Sequence, residues 1–140
     1  MSDPLARYYQ GTSTLTVTTT HDSTVVAATG DLDGAVADHL LARLADELAL
    51  RPKALVVDLT RVGFCSARIL RVLLTTSADA HAAGIPCVIV SDQRAVRRPI
   101  AVLGLDHLLQ VQGSRAAARE WLAVLGSVGA TGEPRASQGV

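Results

Sequence analysis

Ala54-Leu55-Val56-Val57-Asp58-Leu59 is a nearly unbroken apolar run of strand length. A strand with one face in water alternates apolar and polar side chains; this one carries apolar groups on both faces. The run therefore predicts a central strand, covered on both sides and lying beside a parallel neighbour. With 140 residues, the chain is long enough for the core this requires. A domain of that size buries about 70% of the surface its unfolded chain exposes.

The segments around the run supply the covering elements. Residues 13–20 alternate, with Leu15 and Val17 on one face and threonines on the other. Residues 24–29 form a second strand ending at Gly30, and the turn His21-Asp22-Ser23 joins the two as an antiparallel hairpin. Val36, Leu40, Leu44 and Leu48 then recur every four residues, joined by Ala37 and Leu41, which is the stripe of an amphipathic helix. Asp33 stands at its N-cap position and Pro52 stops it.

After a loop at 60–65, residues 67–83 read as a helix with Ile69, Leu70, Leu73 and Leu74 inward and Gly84 as its cap. Pro86 opens a strand at 87–90. Ser91 or Asp92 caps a helix bearing Val96, Ile100 and Leu103, which Pro99 divides into two short turns before Gly104. Residues 108–111 read as an edge strand, and Ser114 starts a last helix with Ala117, Trp121, Leu122 and Leu125. The order predicts one α/β domain, a mixed sheet flanked by about four helices. Its expected limits are a flexible N-terminus at 1–12, the domain at 13–125 and a disordered tail at 126–140.

Charge and composition narrow the function. Thirteen Lys and Arg balance thirteen Asp and Glu, so the basic stripe of a nucleic-acid binder is missing. Aromatic residues are only 3%, too few for stacking platforms on single strands. Half the residues are hydrophobic, at 49%, yet no run approaches the ~20 needed to cross a bilayer. Residues 1–10 hold no apolar stretch of signal-peptide type. Cys65 and Cys87 are too few for a disulfide framework. The expectation is a cytoplasmic protein with free thiols.

Few residue constellations point to catalysis. No Gly-rich phosphate loop is present, and the aspartates of Gly30-Asp31-Leu32-Asp33-Gly34 would line an anion site poorly. His21, His39, His81 and His107 lie in four separate segments without ligand spacing, so neither metal nor cofactor is expected. Cys65 and Arg71 stand six apart at a strand-to-helix junction, the spacing of cysteine-dependent phosphatases. The residues between them, Ser66-Ala67-Arg68-Ile69-Leu70, contain no glycine, and Ile69 and Leu70 fit a core stripe better than a phosphate cradle. A buried thiol and a solvated arginine are the plainer reading. Arg94, Arg97 and Arg98 form a solvated basic face or a contact for an acidic partner or anionic small molecule.

Three ordered segments then carry a resemblance: Gly30-Asp31-Leu32-Asp33; the stretch from Leu55 through Asp58-Leu59 to Phe64-Cys65; and Leu103-Gly104-Leu105-Asp106. Over residues 15–125 the chain resembles the STAS domain, the fold of bacterial anti-sigma factor antagonists. The resemblance implies a regulator that binds an anti-sigma factor, itself an ATPase-like serine kinase. In that family a serine of the motif D-S-[ST]-G is phosphorylated, and phosphate at a helix start in the interface releases the partner.

The chain departs from the motif at this loop. Counted from Phe64, Ser66 takes the place of the family's aspartate, Ala67 that of its phosphorylated serine, Arg68 that of the small hydroxyl residue and Ile69 that of the glycine. Ala67 cannot accept phosphate. Ser66 remains either an N-cap or a substitute acceptor. The resemblance thus implies a partner-binding surface at Asp31, Asp33, Ser66, Ala67, Arg68 and Arg71, without the usual serine switch. The alternatives are a STAS scaffold, ligand-binding module or homodimer, and a small phosphatase-like enzyme using Cys65 and Arg71.

Overall fold

The computed structural model describes residues 13–138, with side chains as far as Gly126. The N-terminal segment 1–12 lies outside the described residues. Five strands form one sheet in the order β1-β2-β3-β4-β5. Strands β1 (Thr14–Thr19) and β2 (Thr24–Leu32) are the expected antiparallel hairpin, with Leu15 opposite Ala28 and Val17 opposite Val26. The apolar run begins β3 (Leu55–Cys65), the middle strand, which is parallel to β2 and to β4 (Cys87–Val90). The short edge strand β5 (Val111–Gln112) is parallel to β4.

Both faces of the sheet are covered, as the apolar run requires. Leu55, Val57 and Leu59 of β3, with Val26 and Ile89, pack against helices α1 (Ala37–Ala49), α2 (Ala67–Ala82) and α3 (Arg94–Val102). The helices contribute Leu40 and Leu44, then Ile69 and Leu73, then Val96 and Ile100. Each such side chain fully removed from water contributes roughly 1.5–3 kcal/mol. On the other face Val25, Val56, Val88 and Val90 meet Ala118, Trp121 and Leu122 of α4 (Arg115–Gln138).

Within residues 13–125, four elements differ from the sequence reading. Residues 60–65 continue β3 rather than forming a loop. Burial there falls on Leu59, Val62 and Cys65, every third residue, so alternation is lost and the strand is hidden. β2 also runs past Gly30 to Leu32, with register shifts at Ala27/Thr29 and Gly30/Asp31, and Gly30 at φ 92 gives the bulge a backbone that L side chains rarely adopt. Helix α3 passes through Pro99 unbroken, because a proline removes one donor without removing the burial of Val96 and Ile100. The edge strand is confined to Val111–Gln112, since Leu109 turns into the core before it.

The backbone of α4 stays helical beyond Gly126, where the sequence reading begins a disordered tail. That reading rested on the loss of an apolar stripe, and a helical backbone does not itself require one. No helix among the described residues is long and apolar enough to cross a membrane.

Candidate functional site

β2 and β3 end side by side, with Leu32 paired to Cys65, and the Ser66 amide donates to the Leu32 carbonyl at 2.9 Å. Two helical starts therefore emerge together at the carboxyl ends of parallel strands, where α/β folds commonly place their binding sites. Asp33 caps the first: its Oδ1 accepts from the Ala35 amide at 3.0 Å and opens the 3₁₀ turn Gly34–Val36 that leads into α1. Ser66 caps the second, accepting from the Ile69 amide at 3.4 Å. Of the two roles open to it, cap and phosphate acceptor, Ser66 performs the capping one in this geometry.

Arg68 joins the two starts. Its Nη1 donates to the Gly34 carbonyl at 3.1 Å and its Nη2 to Asp38 Oδ1 at 3.2 Å. A Cβ on Gly34 would stand 3.2 Å from Arg68 Cδ, closer than side chains normally approach. The arginine stem thus lies along bare backbone, and its cation is directed inward along the loop.

Asp31, Asp33, Ser66, Ala67 and Arg68 come together at this end of the sheet, and Arg71 follows one turn along α2. Asp31, Ala67, Arg68 and Arg71 are exposed; Asp33 and Ser66 are half-buried by their capping roles. The sequence reading missed three participants. Gly34 and Asp38 hold Arg68. Phe64, the chain's one phenylalanine, is 48% exposed and pairs with Asp31 across β2 and β3. The sequence held one signal for Phe64, a large aromatic residue in a stretch without apolar periodicity.

The basic cluster begins nearby. Gln93 Nε2 donates to the Thr60 carbonyl at 3.2 Å, fixing the start of α3 beside β3. Arg97 Nη1 donates to the Ser91 carbonyl at 3.0 Å, while Arg94 and Arg98 face solvent.

Cys65 is not the activated thiol that a phosphatase would need. It is the last residue of β3, only 7% exposed, and burial pushes its thiol up to about 11. Cys87 is raised to about 11 by burial as well, despite a contact from the Ser77 hydroxyl. Among the described residues no group of three His, Cys, Asp or Glu comes together to hold a metal ion.

On the opposite face Asp58 is the buried carboxylate of the central strand. Burial pushes its pKa up, but the Arg115 hydrogen bond at 2.6 Å, the Thr60 amide and hydroxyl, and the Arg115 charge outweigh burial and hold it below the ordinary value. The pair fixes the first turn of α4 to β3.

A family model described as Mlab, STAS domain, matches residues 15–113. No curated protein sequence matches the chain. Among solved structures, an anti-sigma factor antagonist from Mycobacterium paratuberculosis is 25% identical, with a TM-score of 0.71, covering 88% of this chain and 99% of its own. RsbS from Moorella thermoacetica, as a serine-to-glutamate variant, is 23% identical with a TM-score of 0.70, covering 81% and 97%. The Bacillus cell fate determinant SpoIIAA in its phosphorylated form shares the fold at 13% identity and a TM-score of 0.61, covering 76% and 98%. With the mixed sheet, the paired helix starts and a family model spanning most of its length, this chain belongs to the STAS domain family of the anti-sigma factor antagonists.

Proposed function

We propose that this domain is a regulatory antagonist that acts by binding an anti-sigma factor of the ATPase-like kinase type, and that it does so without a serine phospho-switch. The observation that carries the reading is Ala67. It is the first residue of α2 and exposed, at the position that matches the family's phosphorylated serine. The neighbouring Ser66 hydroxyl is engaged with the Ile69 amide as a cap. For phosphoryl transfer to Ser66, its hydroxyl would first have to leave the Ile69 amide, which costs about 1 kcal/mol.

The interface of this reading is Asp31, Asp33, Ser66, Ala67, Arg68 and Arg71, with Phe64 as its apolar anchor. Aromatic and arginine side chains are enriched at protein interfaces. The domain acts inside the cell and carries no catalytic step of its own. The phosphatase alternative has no support from the buried Cys65 thiol.

The test is incubation with ATP and candidate anti-sigma kinases, read by mass spectrometry, alongside a pull-down. The expected result is a stable complex, no phosphate on the wild-type protein, and phosphate on Ala67→Ser. Stoichiometric phosphate on Ser66 would overturn the switchless reading. Failure to capture any anti-sigma factor, with a well-folded protein, would overturn the antagonist reading.

A further inference from the structure

At the other end of the domain, α4 and the amino-terminal ends of β2, β3 and β4 leave a groove of about 790 Å³. That lies within the ~300–1,000 Å³ of pockets that hold small molecules. Its floor is Val25, Val56, Ala118 and Leu122, part of the smaller apolar cluster of the domain. We propose that this groove binds an amphiphilic monoanion, an apolar chain carrying one carboxylate. The proposal is independent of the partner surface, which lies at the opposite ends of the strands.

The floor argues for an apolar body. The side chains of Val25, Val56, Ala118 and Leu122 are apolar and offer no donor or acceptor to a sugar or a base. Polar groups placed there would lose their water without replacement, a cost of roughly 1–3 kcal/mol each. An alkyl chain incurs no such penalty and gains by leaving water.

The rim argues for one anion. Lys53, Arg115 and Arg119 line the groove against a single carboxylate of its own, Asp22. Arg115 is already paired with Asp58. Lys53 Nζ lies 3.3 Å from His21 Nε2 and, among the described residues, forms no ion pair with a carboxylate. Arg119 is exposed and forms no ion pair among the described residues. The head group therefore sits between Lys53 and Arg119 with the chain running inward over Val56.

The experiment titrates the full chain with decanoate by calorimetry, and with decanol as the uncharged control. Decanoate is expected to bind saturably at one site per chain. Decanol should bind about tenfold more weakly, the equivalent of one charge-assisted hydrogen bond. Lys53→Ala with Arg119→Ala, two exposed side chains, should bring decanoate down to the level of decanol. Raised salt should weaken decanoate alone in the unmodified protein. Equal binding of decanol and decanoate, no binding of decanoate up to millimolar concentration, or decanoate binding unchanged by the double substitution would each overturn the proposal.

Discussion

Arg68 reaches back to the Gly34 carbonyl at 3.1 Å, and its own stem occupies the space that a Gly34 side chain would need. One residue thus ties together the starts of α1 and α2, the two helices that frame the candidate interface. The guanidinium and its Asp38 partner are 56% and 87% exposed, so water screens the ion pair. Arg68→Ala is therefore expected to destabilise by only about 0.5–1 kcal/mol. Gly34→Ala should cost stability in the unmodified protein and much less in the Arg68→Ala background. Urea unfolding of the four-member cycle measures that coupling. A null coupling would mean that the arginine stem moves aside freely.

Asp58 and Arg115 make a prediction with a pH sign. The Asp58 carboxyl is held below its ordinary value of 3.8 in the folded protein. The folded state thus favours the ionised form, and its stabilisation is fully present above the unfolded pKa. It is lost as pH falls through 3.8 toward the lowered folded value. Asp58→Asn should cost about 1–2 kcal/mol near neutrality, discounted because Arg115 is half-exposed. The gap between wild type and variant should close as pH falls from about 5 toward 2. Arg115→Ala should cost more than Asp58→Asn, because it leaves a buried carboxylate without its cation. Denaturant midpoints across that pH range decide the matter.

Much of this architecture is legible in single residues, and its gaps have physical causes. The run from Ala54 to Leu59 announces a doubly covered central strand because both faces are apolar, and the four-residue spacing of Leu40, Leu44 and Leu48 announces α1. Extension of β3 through Arg61, Gly63 and Phe64 was hidden because bulges in β2 replace alternation with a three-residue rhythm. At the site, the capping roles of Asp33 and Ser66 follow from residue type and position. The Arg68 contacts do not, because they depend on the loop before α1 and the start of α2 meeting across thirty-four residues of chain. The Asp58–Arg115 pair was invisible for the same reason, with its members fifty-seven residues apart.

Cys65 should be a poor nucleophile. With its thiol pushed up to about 11, roughly one molecule in a thousand carries thiolate at pH 8. Alkylation by iodoacetamide should be slow in the folded protein and fast in denaturant, and an aryl phosphate should not be hydrolysed. Rapid labelling of native Cys65 at pH 7 would return the phosphatase reading to consideration.

Phe64 should matter for binding far more than for folding. Half its surface is already in water, so Phe64→Ala removes little burial and should shift stability by well under the ~3–5 kcal/mol of a core phenylalanine. If it anchors the anti-sigma partner, the same change weakens the complex by about tenfold or more. Calorimetric binding and thermal unfolding on one preparation separate the two effects. A variant that binds normally would remove Phe64 from the interface.

The chain's stable unit should end near Leu125. Gly126, Gly129, Gly132 and Pro134 follow within nine residues, and glycine and proline are the poorest helix formers by about 1 and 3 kcal/mol against alanine. No apolar stripe accompanies them to repay that cost through packing. A helical backbone without either support opens locally at little expense, and proteases cut where a segment opens. Limited proteolysis followed by mass determination should trim the carboxyl-terminal end to a resistant core that stops near residue 126. Ala118, Trp121 and Leu122 should stay inside it, because they close the second face of the sheet. Resistance through residue 138 would instead show that the distal turns of α4 pack against the domain, and would move the boundary to the end of that helix.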